Sequence, residues 1–560
     1  FYSTKPSVDP WSGVEKPKQC DHDPASEPAV VEKRAEQLIR EGRLEAAASV
    51  YRTLIQAGTT SAAVYLNLAA ISGMQGQRDG LVELLKKALK FDPMLPEVHN
   101  NLGYLLQEQG DHTAAIACFE AALKLKHNFP EAHYNLAISL KEQADPRAAI
   151  ASYNRALKLK PNYLEAQINL GIVLKQQGNL EEAIACWKRA LEDWPHRHEA
   201  HNNLANGLLE QGALQAAISS YRKALQLRAD CADTQTNLAM AELLSGDYKS
   251  GWKRYEHRFQ ARNDKGLLIA WPNRPRWDGA RLPEGSNLVL VSEQGLGDTL
   301  QFMRYALVLR RQGIAVSLCA HPKLHSLIQA SGIDPAPISP GEATEISAGV
   351  WMPLLSLPRF LDVSPDNPIS TDPYISSSED LIQHWQHKLA QERRPIIGIN
   401  WQGNPEHEKT NSQGRSLPLE AFAPIANATN ASFLSLQKGY GSEQLETCSF
   451  RDRFVSCQHE ISATWGFLDT AAMILNCDLV ITSDTVVAHL AGGLGKTTWL
   501  LLKNVPEWRW GLTGESSFWY PSMRLFRQQE RNNWIQLMVE VAEELQSYIQ
   551  GSAAIMSYPS

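Results

Sequence analysis

The sequence lacks any pair of cysteines at CxxC spacing, and its eight cysteines and sixteen histidines never fall into the ligand spacing of a structural zinc site. Free thiols in a reducing compartment, the cytoplasm, are the expectation. No apolar run reaches the ~18 residues that a membrane span requires, so no membrane span is expected. A basic excess is missing too. With a formal net charge of -7 and no clustered Lys and Arg, the chain has none of the phosphate-neutralising surface of a duplex nucleic-acid binder. One short segment, Cys20-Asp21-His22-Asp23, has metal-ligand residue types. It sits in a Pro-rich opening stretch without periodicity, so residues 1–28 are expected to be a disordered tail and no metal is expected. The chain opens on Phe1 rather than Met, which leaves its natural start and any targeting signal open.

What is present is length and repetition. At 560 residues the chain exceeds the roughly 250 to 300 residues that one hydrophobic core serves, so at least two domains are expected. Segments opening at Ala63, Glu97, Glu131, Glu165, Glu199 and Asp233 fall in register every 34 residues. Each carries Leu followed by a small residue on a first helix (Leu68-Ala69, Leu102-Gly103, Leu136-Ala137, Leu170-Gly171, Leu204-Ala205, Leu238-Ala239). A second helix brings Ala115, Ala149, Ala183 and Ala217, then a bulky Phe119, Tyr153, Trp187 and Tyr221, then Ala122, Ala156, Ala190 and Ala224. Steps of four and three place these on one helical face. Pro93, Pro161 and Pro195 then stop the helix. Residues 29–262 thus resemble the tetratricopeptide repeat, in about seven units with atypical ends at Ala29 and around Trp252 and Tyr255.

Asn67, Asn101, Asn135, Asn169, Asn203 and Asn237 recur at one position of six successive first helices. An Asn amide offers donors and an acceptor that match the backbone of an extended peptide. The same amides could instead bridge neighbouring repeats and stiffen the stack. The array is similar to the asparagine ladder of O-linked N-acetylglucosamine transferases, a resemblance that implies a protein acceptor held along the repeats.

Residues 263–285 read as a linker rich in Pro, Trp and Arg. The pattern then changes from helical repeats to strand and helix. Asn287–Ser292 is a buried strand leading into the turn Glu293–Asp298, a helix through Arg311 and a second strand at Ala315–Ala320. That is a βαβ unit, whose turn lies on the ligand side of such sheets, with Gly295 and Gly297 placed to admit a ligand near the backbone. Further strands are predicted at Ile396–Trp401, Phe433–Gln437, Leu479–Thr482 and Thr498–Leu502. Residues 286–390 and 391–550 are therefore expected to be two Rossmann-like halves, acceptor side and donor side, followed by a tail at 551–560. The string GGLGKTT at Gly492–Thr498 has the composition of an ATPase phosphate loop, but it follows a helix and opens a strand, the reverse of the polarity such a loop needs.

Several strings resemble the inverting, heptosyltransferase-like glycosyltransferases of GT-B architecture. VLVSEQGLGDTLQF is similar to that family's first strand and loop, which implies Asp298 as catalytic base. SDTVVAHLAGGLGK is similar to its donor motif and implies Asp484, Thr485 and His489 as donor contacts, with Val486 where a glycine is usual. NSQGRSLP implies a phosphate-contact role for Arg415, and SLQKGYGSEQ implies donor-loop roles for Lys438 and Glu443. Bland roles stand beside these: Asp298 and Asp484 could each cap a helix, and His489 could be a packed core residue. The fold expectation is an α-solenoid followed by an α/β GT-B-type module. The function expectation is an enzyme, an inverting, metal-independent transferase with a nucleotide-diphosphate sugar as co-substrate and a protein as acceptor. A transferase acting on lipid-linked or surface glycans, or an interaction scaffold with an inactive module, are the alternatives.

Overall fold

A computed structural model describes residues 27–261, 267–282, 286–293, 295–410 and 414–556. The expected opening tail, including Cys20 to Asp23, lies outside them except for its last two residues. Two compact units form, one from residues 1–208 with 226–228, the other from 209–225 with 229–560.

The first unit is built from antiparallel helix pairs. Glu27–Arg40 pairs with Leu44–Gln56, Ala62–Met74 with Leu81–Phe91, Pro96–Glu108 with His112–Leu125, Pro130–Glu142 with Pro146–Leu159, and Leu164–Gln176 with Leu180–Asp193. The alternation of small and bulky residues explains the pairing. A Cβ on Gly103 would stand 2.7 Å from the Phe119 ring, and one on Gly171 would stand 2.6 Å from Trp187 Nε1. The ring fills the space that the glycine leaves, and both Phe119 and Trp187 are fully buried. Trp187 Nε1 also donates to the Ile168 carbonyl at 3.1 Å. Helix starts are set locally: Asp111 and Asp145 accept from the backbone of Ala114 and Ala148, which satisfies amides that the helix leaves open.

The turn inside each pair repeats as well. Gly42, Gly76, Gly110 and Gly178 have positive φ, and Ala144 occupies the same register with φ 59°. A second recurrent device ties four of the first helices to the loop before them. Tyr65, His99, His133 and His201 each bond a backbone carbonyl six residues upstream, at 3.1, 3.0, 3.2 and 2.9 Å. Cys186 is buried and Cys118 half-buried between helices.

The second unit holds two parallel sheets. The first contains β1 (Asn287–Val291), β2 (Ala315–Cys319) and β3 (Val350–Pro353) in the order β2-β1-β3. The second contains β4 (Ile396–Asn400), β5 (Ser432–Ser435), β6 (Leu479–Ser483), β7 (Thr498–Leu502) and β8 (Met523–Arg527) in the order β5-β4-β6-β7-β8. All neighbours are parallel, and β4 to β8 are almost wholly buried, as strands covered on both faces should be. In each sheet the strand order reverses beside one strand, β1 in the first and β4 in the second. The carboxyl ends there, between β1 and β3 and between β4 and β6, are where ligands bind such sheets.

The last repeat helices, Ala232–Leu244 and Tyr248–Tyr255, belong to the same compact unit as the sheets. Trp252 anchors them, donating to the Val363 carbonyl at 2.8 Å and meeting Trp508 edge-on at 5.2 Å. The segment expected to be a linker is not a free tether in its described part, 267–282. Leu268, Ala270 and Trp277 are buried, and Trp351 of β3 donates its indole N–H to the Arg274 carbonyl at 3.0 Å. The expected final tail also differs, because the helix Trp534–Met556 runs into it.

Candidate functional site

The turn after β1 delivers Asp298 into the first turn of the helix Leu296–Phe302, with Gly295 at the N-cap. Asp298 is therefore not the N-cap residue. One carboxylate oxygen, Oδ1, pairs with Arg509 Nη2, and Oδ2 lies against the Cα hydrogens of Gly295, where a Cβ could not fit. Gly297 has a similar role, since a Cβ there would stand 2.8 Å from His489 Cδ2. Both glycines thus admit neighbouring side chains of the protein, and the space above Gly297 expected for a ligand is filled by His489.

Arg509 lies in the short 3-10 turn Trp508–Trp510 that follows β7. Its Nε donates to Gln301 Oε1 at 2.6 Å and its Nη1 to Glu507 Oε1 at 2.5 Å. The guanidinium packs over Trp508 at 4.3 Å and its carbonyl accepts from Trp519 Nε1 at 3.0 Å. Burial pushes the Glu507 carboxyl up to about 7, with Arg509 pulling the other way.

The helix Val486–Gly493 opens directly after β6, with Thr485 at its N-cap. Asp484 precedes it. Burial raises the Asp484 carboxyl above its usual range, opposed by Arg415, by Arg509 and by the Trp510 indole. The Thr485 hydroxyl does not cap the helix but donates to Asn400 Oδ1 at 2.7 Å. Asn400 in turn donates to Gln437 Oε1 at 2.7 Å, so a buried polar chain underlies the point where β4 and β6 diverge. His489 stacks on Trp510 at 5.6 Å and its Nδ1 lies 3.1 Å from the Tyr520 hydroxyl. Burial first, then the fields of Arg509, Arg304 and Arg415, push its imidazole well below the usual range. It is neutral at neutral pH.

The segments after β4 and β5 divide the remaining expected residues. Arg415 is partly buried over Gly403, bonds Glu408 at 3.3 Å, and its charge reaches Asp484 and His489. Lys438 instead donates to the Ile461 carbonyl, and burial lowers its ammonium to about 8, with Asp469 opposing. Glu443 is exposed in the 3-10 turn Ser442–Glu446. The structure thus gathers Asp298, Asp484, His489 and Arg415 around Arg509, and it places Thr485 on Asn400, Lys438 on Ile461 and Glu443 on an exposed turn. Sequence reasoning missed Arg509, Glu507, Gln301 and Trp510. The signal for Glu507, Arg509 and Trp510 was a charge inside the Trp-rich string EWRWG, and Gln301 lies within VLVSEQGLGDTLQF. The Trp510 indole faces the Asp484 carboxyl, whereas Gln301 Nε2 is buried with no protein hydrogen-bond partner.

In the repeats, three of the six asparagines bond neighbouring repeats. Asn67, Asn101, Asn135, Asn169 and Asn203 are buried. Asn67 donates to the Tyr51 hydroxyl, Asn135 to Asn100 Oδ1 and Asn169 to the Tyr134 hydroxyl, each at 3.1 Å. Asn101 accepts from Asn100 at 3.4 Å, and Asn237 is half-buried. This is the stack-stiffening geometry for Asn67, Asn135 and Asn169. Among the described residues no helix is long and apolar enough to cross a membrane, and no group of three or more His, Cys, Asp or Glu could hold a metal ion.

The first half of the molecule is thus a helical repeat protein in its geometry. Comparison with known proteins makes this specific: tetratricopeptide-repeat models match residues 95–162 and 168–232, and a further one matches 74–110 and 147–178. The N-terminal half carries tetratricopeptide repeats. Protein FlbA of Caulobacter vibrioides is 25% identical over 299 residues, 49% of this chain and 48% of that protein, so the chain spans about half the length of this curated relative. Among solved structures, YrrB, described as a TPR protein with an unusual peptide-binding site, is 22% identical with a TM-score of 0.30, over 33% of this chain and 94% of that one. MamA is 25% identical with a TM-score of 0.28, over 29% and 95%.

Proposed function

We propose that the chain is an inverting glycosyltransferase that moves a sugar from a nucleotide-diphosphate donor to a protein bound by its repeats. The observation that carries this reading is the convergence of Asp298, Asp484, His489 and Arg509 from loops at the carboxyl ends of two parallel sheets. Asp298 takes the proton of the acceptor hydroxyl as its oxygen bonds to the anomeric carbon, and the bond from that carbon to the diphosphate oxygen breaks with its electron pair leaving on the phosphate. General base action of this kind contributes typically 10²- to 10⁴-fold. The departing anion is stabilised by the backbone N–H groups at the start of the Val486–Gly493 helix and by Arg415. Neutral His489 offers a hydrogen bond to a sugar oxygen, and the Trp510 indole steadies Asp484. Tetratricopeptide repeats commonly bind protein or peptide partners, which supports a protein acceptor.

The second reading is an interaction scaffold with an inactive transferase module, and it rests on the Asp298–Arg509 pair, which occupies one carboxylate oxygen. Incubation with uridine, guanosine, thymidine and cytidine diphosphate sugars, with mass spectrometry of candidate acceptor proteins, decides between them. Transfer of a sugar mass to protein is the expected result. Nucleotide binding without transfer or hydrolysis selects the scaffold, and transfer to glycan or lipid but not to protein moves the acceptor class.

A further inference from the structure

We infer that Arg509 is a positioning residue, setting from the five-stranded sheet the orientation of two side chains, Asp298 and Gln301, on the helix that follows β1. The inference rests on the transferase reading above and adds to it a residue that holds the base. Asp298 and Gln301 are three residues apart and so share one face of the Leu296–Phe302 helix. A single guanidinium grips both. Nη2 pairs with Asp298 Oδ1, and Nε donates to Gln301 Oε1 at 2.6 Å.

The grip has two consequences. Fixing Oδ1 leaves Asp298 one oxygen for a substrate proton, on a side chain that remains 30% exposed. Fixing Oε1 turns the Gln301 amide so that its Nε2, buried and without a protein partner, is left to donate.

Arg509 itself is poorly suited to touch substrate. Its side chain is 8% exposed. Nε, Nη1 and Nη2 are each committed, to Gln301, Glu507 and Asp298. Trp508 lies under the guanidinium at 4.3 Å and Phe302 at 5.5 Å, and Trp508 is itself wedged edge-on against Trp252 and Trp519. Three committed nitrogens and two adjacent rings hold the fork, so it acts as a fixed reference between the sheets. A planar fork is needed for this, since an ammonium cannot hold three partners in a plane.

The test compares Arg509→Ala and Arg509→Lys with the wild type, using the sugar nucleotide found by the donor panel, with nucleoside diphosphate binding measured separately by calorimetry. Misaiming a catalytic group by about 1 Å costs on the order of 10²-fold. The expected result is a fall in kcat of about that size in both variants, with KM for the donor and nucleotide affinity within twofold of wild type. Asp298→Asn combined with Arg509→Lys should be no slower than Asp298→Asn alone. If Arg509→Ala does not fold, Arg509→Lys, which keeps the charge, decides the matter. Wild-type kcat in Arg509→Lys overturns the role, and so does a tenfold loss of nucleotide affinity, which would make Arg509 a donor contact. Failure of the wild type to transfer from any donor sinks the transferase reading and this role with it, whereas transfer that Arg509→Lys leaves intact sinks this role alone.

Discussion

Buried polar groups are handled in opposite ways by the repeats and by the sheets. In the repeats a polar contact is local and copied: Asn67 on Tyr51 and Asn169 on Tyr134 each join neighbouring helices, and the bond from residue 65, 99, 133 or 201 to a carbonyl six residues back recurs with the period. In the sheet unit the decisive contacts are single and distant. Asp298 and Arg509 are 211 residues apart, and Thr485 and Asn400 are 85 apart. Copying makes a structure tolerant, because each repeat contributes a similar increment to the stack. Uniqueness makes it chemically specific, because residues far apart in the chain bring a carboxylate, a guanidinium and a buried imidazole together.

The sharpest way to break this contrast is to remove one group from each side. Asp298→Ala should lower turnover by about 10²- to 10⁴-fold while nucleotide binding survives, because a base acts on the transition state more than on the ground state. Turnover assays and calorimetry on the folded variant check this, and unchanged turnover removes Asp298 from the chemistry. Trp187→Ala should do the reverse, leaving donor hydrolysis intact but costing about 3 to 5 kcal/mol in the first unit. Its ring fills the space beside Gly171 and Gly207 and its indole holds the Ile168 carbonyl. Hydrogen exchange should show faster opening across the helices from Leu164 to Asp193. Unchanged protection there would mean that the ring is not the keystone of its repeat.

The same contrast explains what could be read from the sequence. A 34-residue period states its architecture six times over, and buried parallel strands such as β1, β4, β6 and β7 announce themselves as short runs of Val, Ile and Leu. The edge strands β3 (VWMP) and β8 (MRLFR) are mixed in character and were not foreseen. Nor was Arg509, since nothing local distinguishes an arginine that reaches a carboxylate 211 residues away from one on the surface. Gly295 and Gly297 were legible as close-approach positions, but sequence cannot say what approaches; here it is Asp298 and His489.

The asparagines are the middle case, a pattern whose period was plain and whose partners were not. Because Asn135 and Asn169 bond Asn100 and Tyr134, replacing both with Ala should cost about 0.5 to 1.5 kcal/mol per bond in stability. Acceptor affinity should then follow stability rather than fall alone. Urea unfolding and acceptor titration on the same variant separate the two. Full stability with acceptor affinity lost tenfold would return the array to the role of peptide-backbone reader.

The smallest expected effect tests the copying itself, at the one described repeat turn where the copy is imperfect. Gly42, Gly76, Gly110 and Gly178 take the left-handed conformation, and Ala144 is forced into it at φ 59°. A Cβ in that region costs roughly 1 to 2 kcal/mol, partly offset because glycine loses more freedom on folding. Ala144→Gly should therefore stabilise the first unit by about 0.5 to 1 kcal/mol, read as a rise of a few degrees in its melting transition. The reciprocal variant is Gly178→Ala. No atom lies within 4 Å of the Cβ it would gain, so its cost would be purely one of backbone conformation and should be of similar size and opposite sign. If neither variant moves the transition, the turns are not held left-handed strongly enough to matter, and the repeats tolerate variation through slack rather than through redundancy.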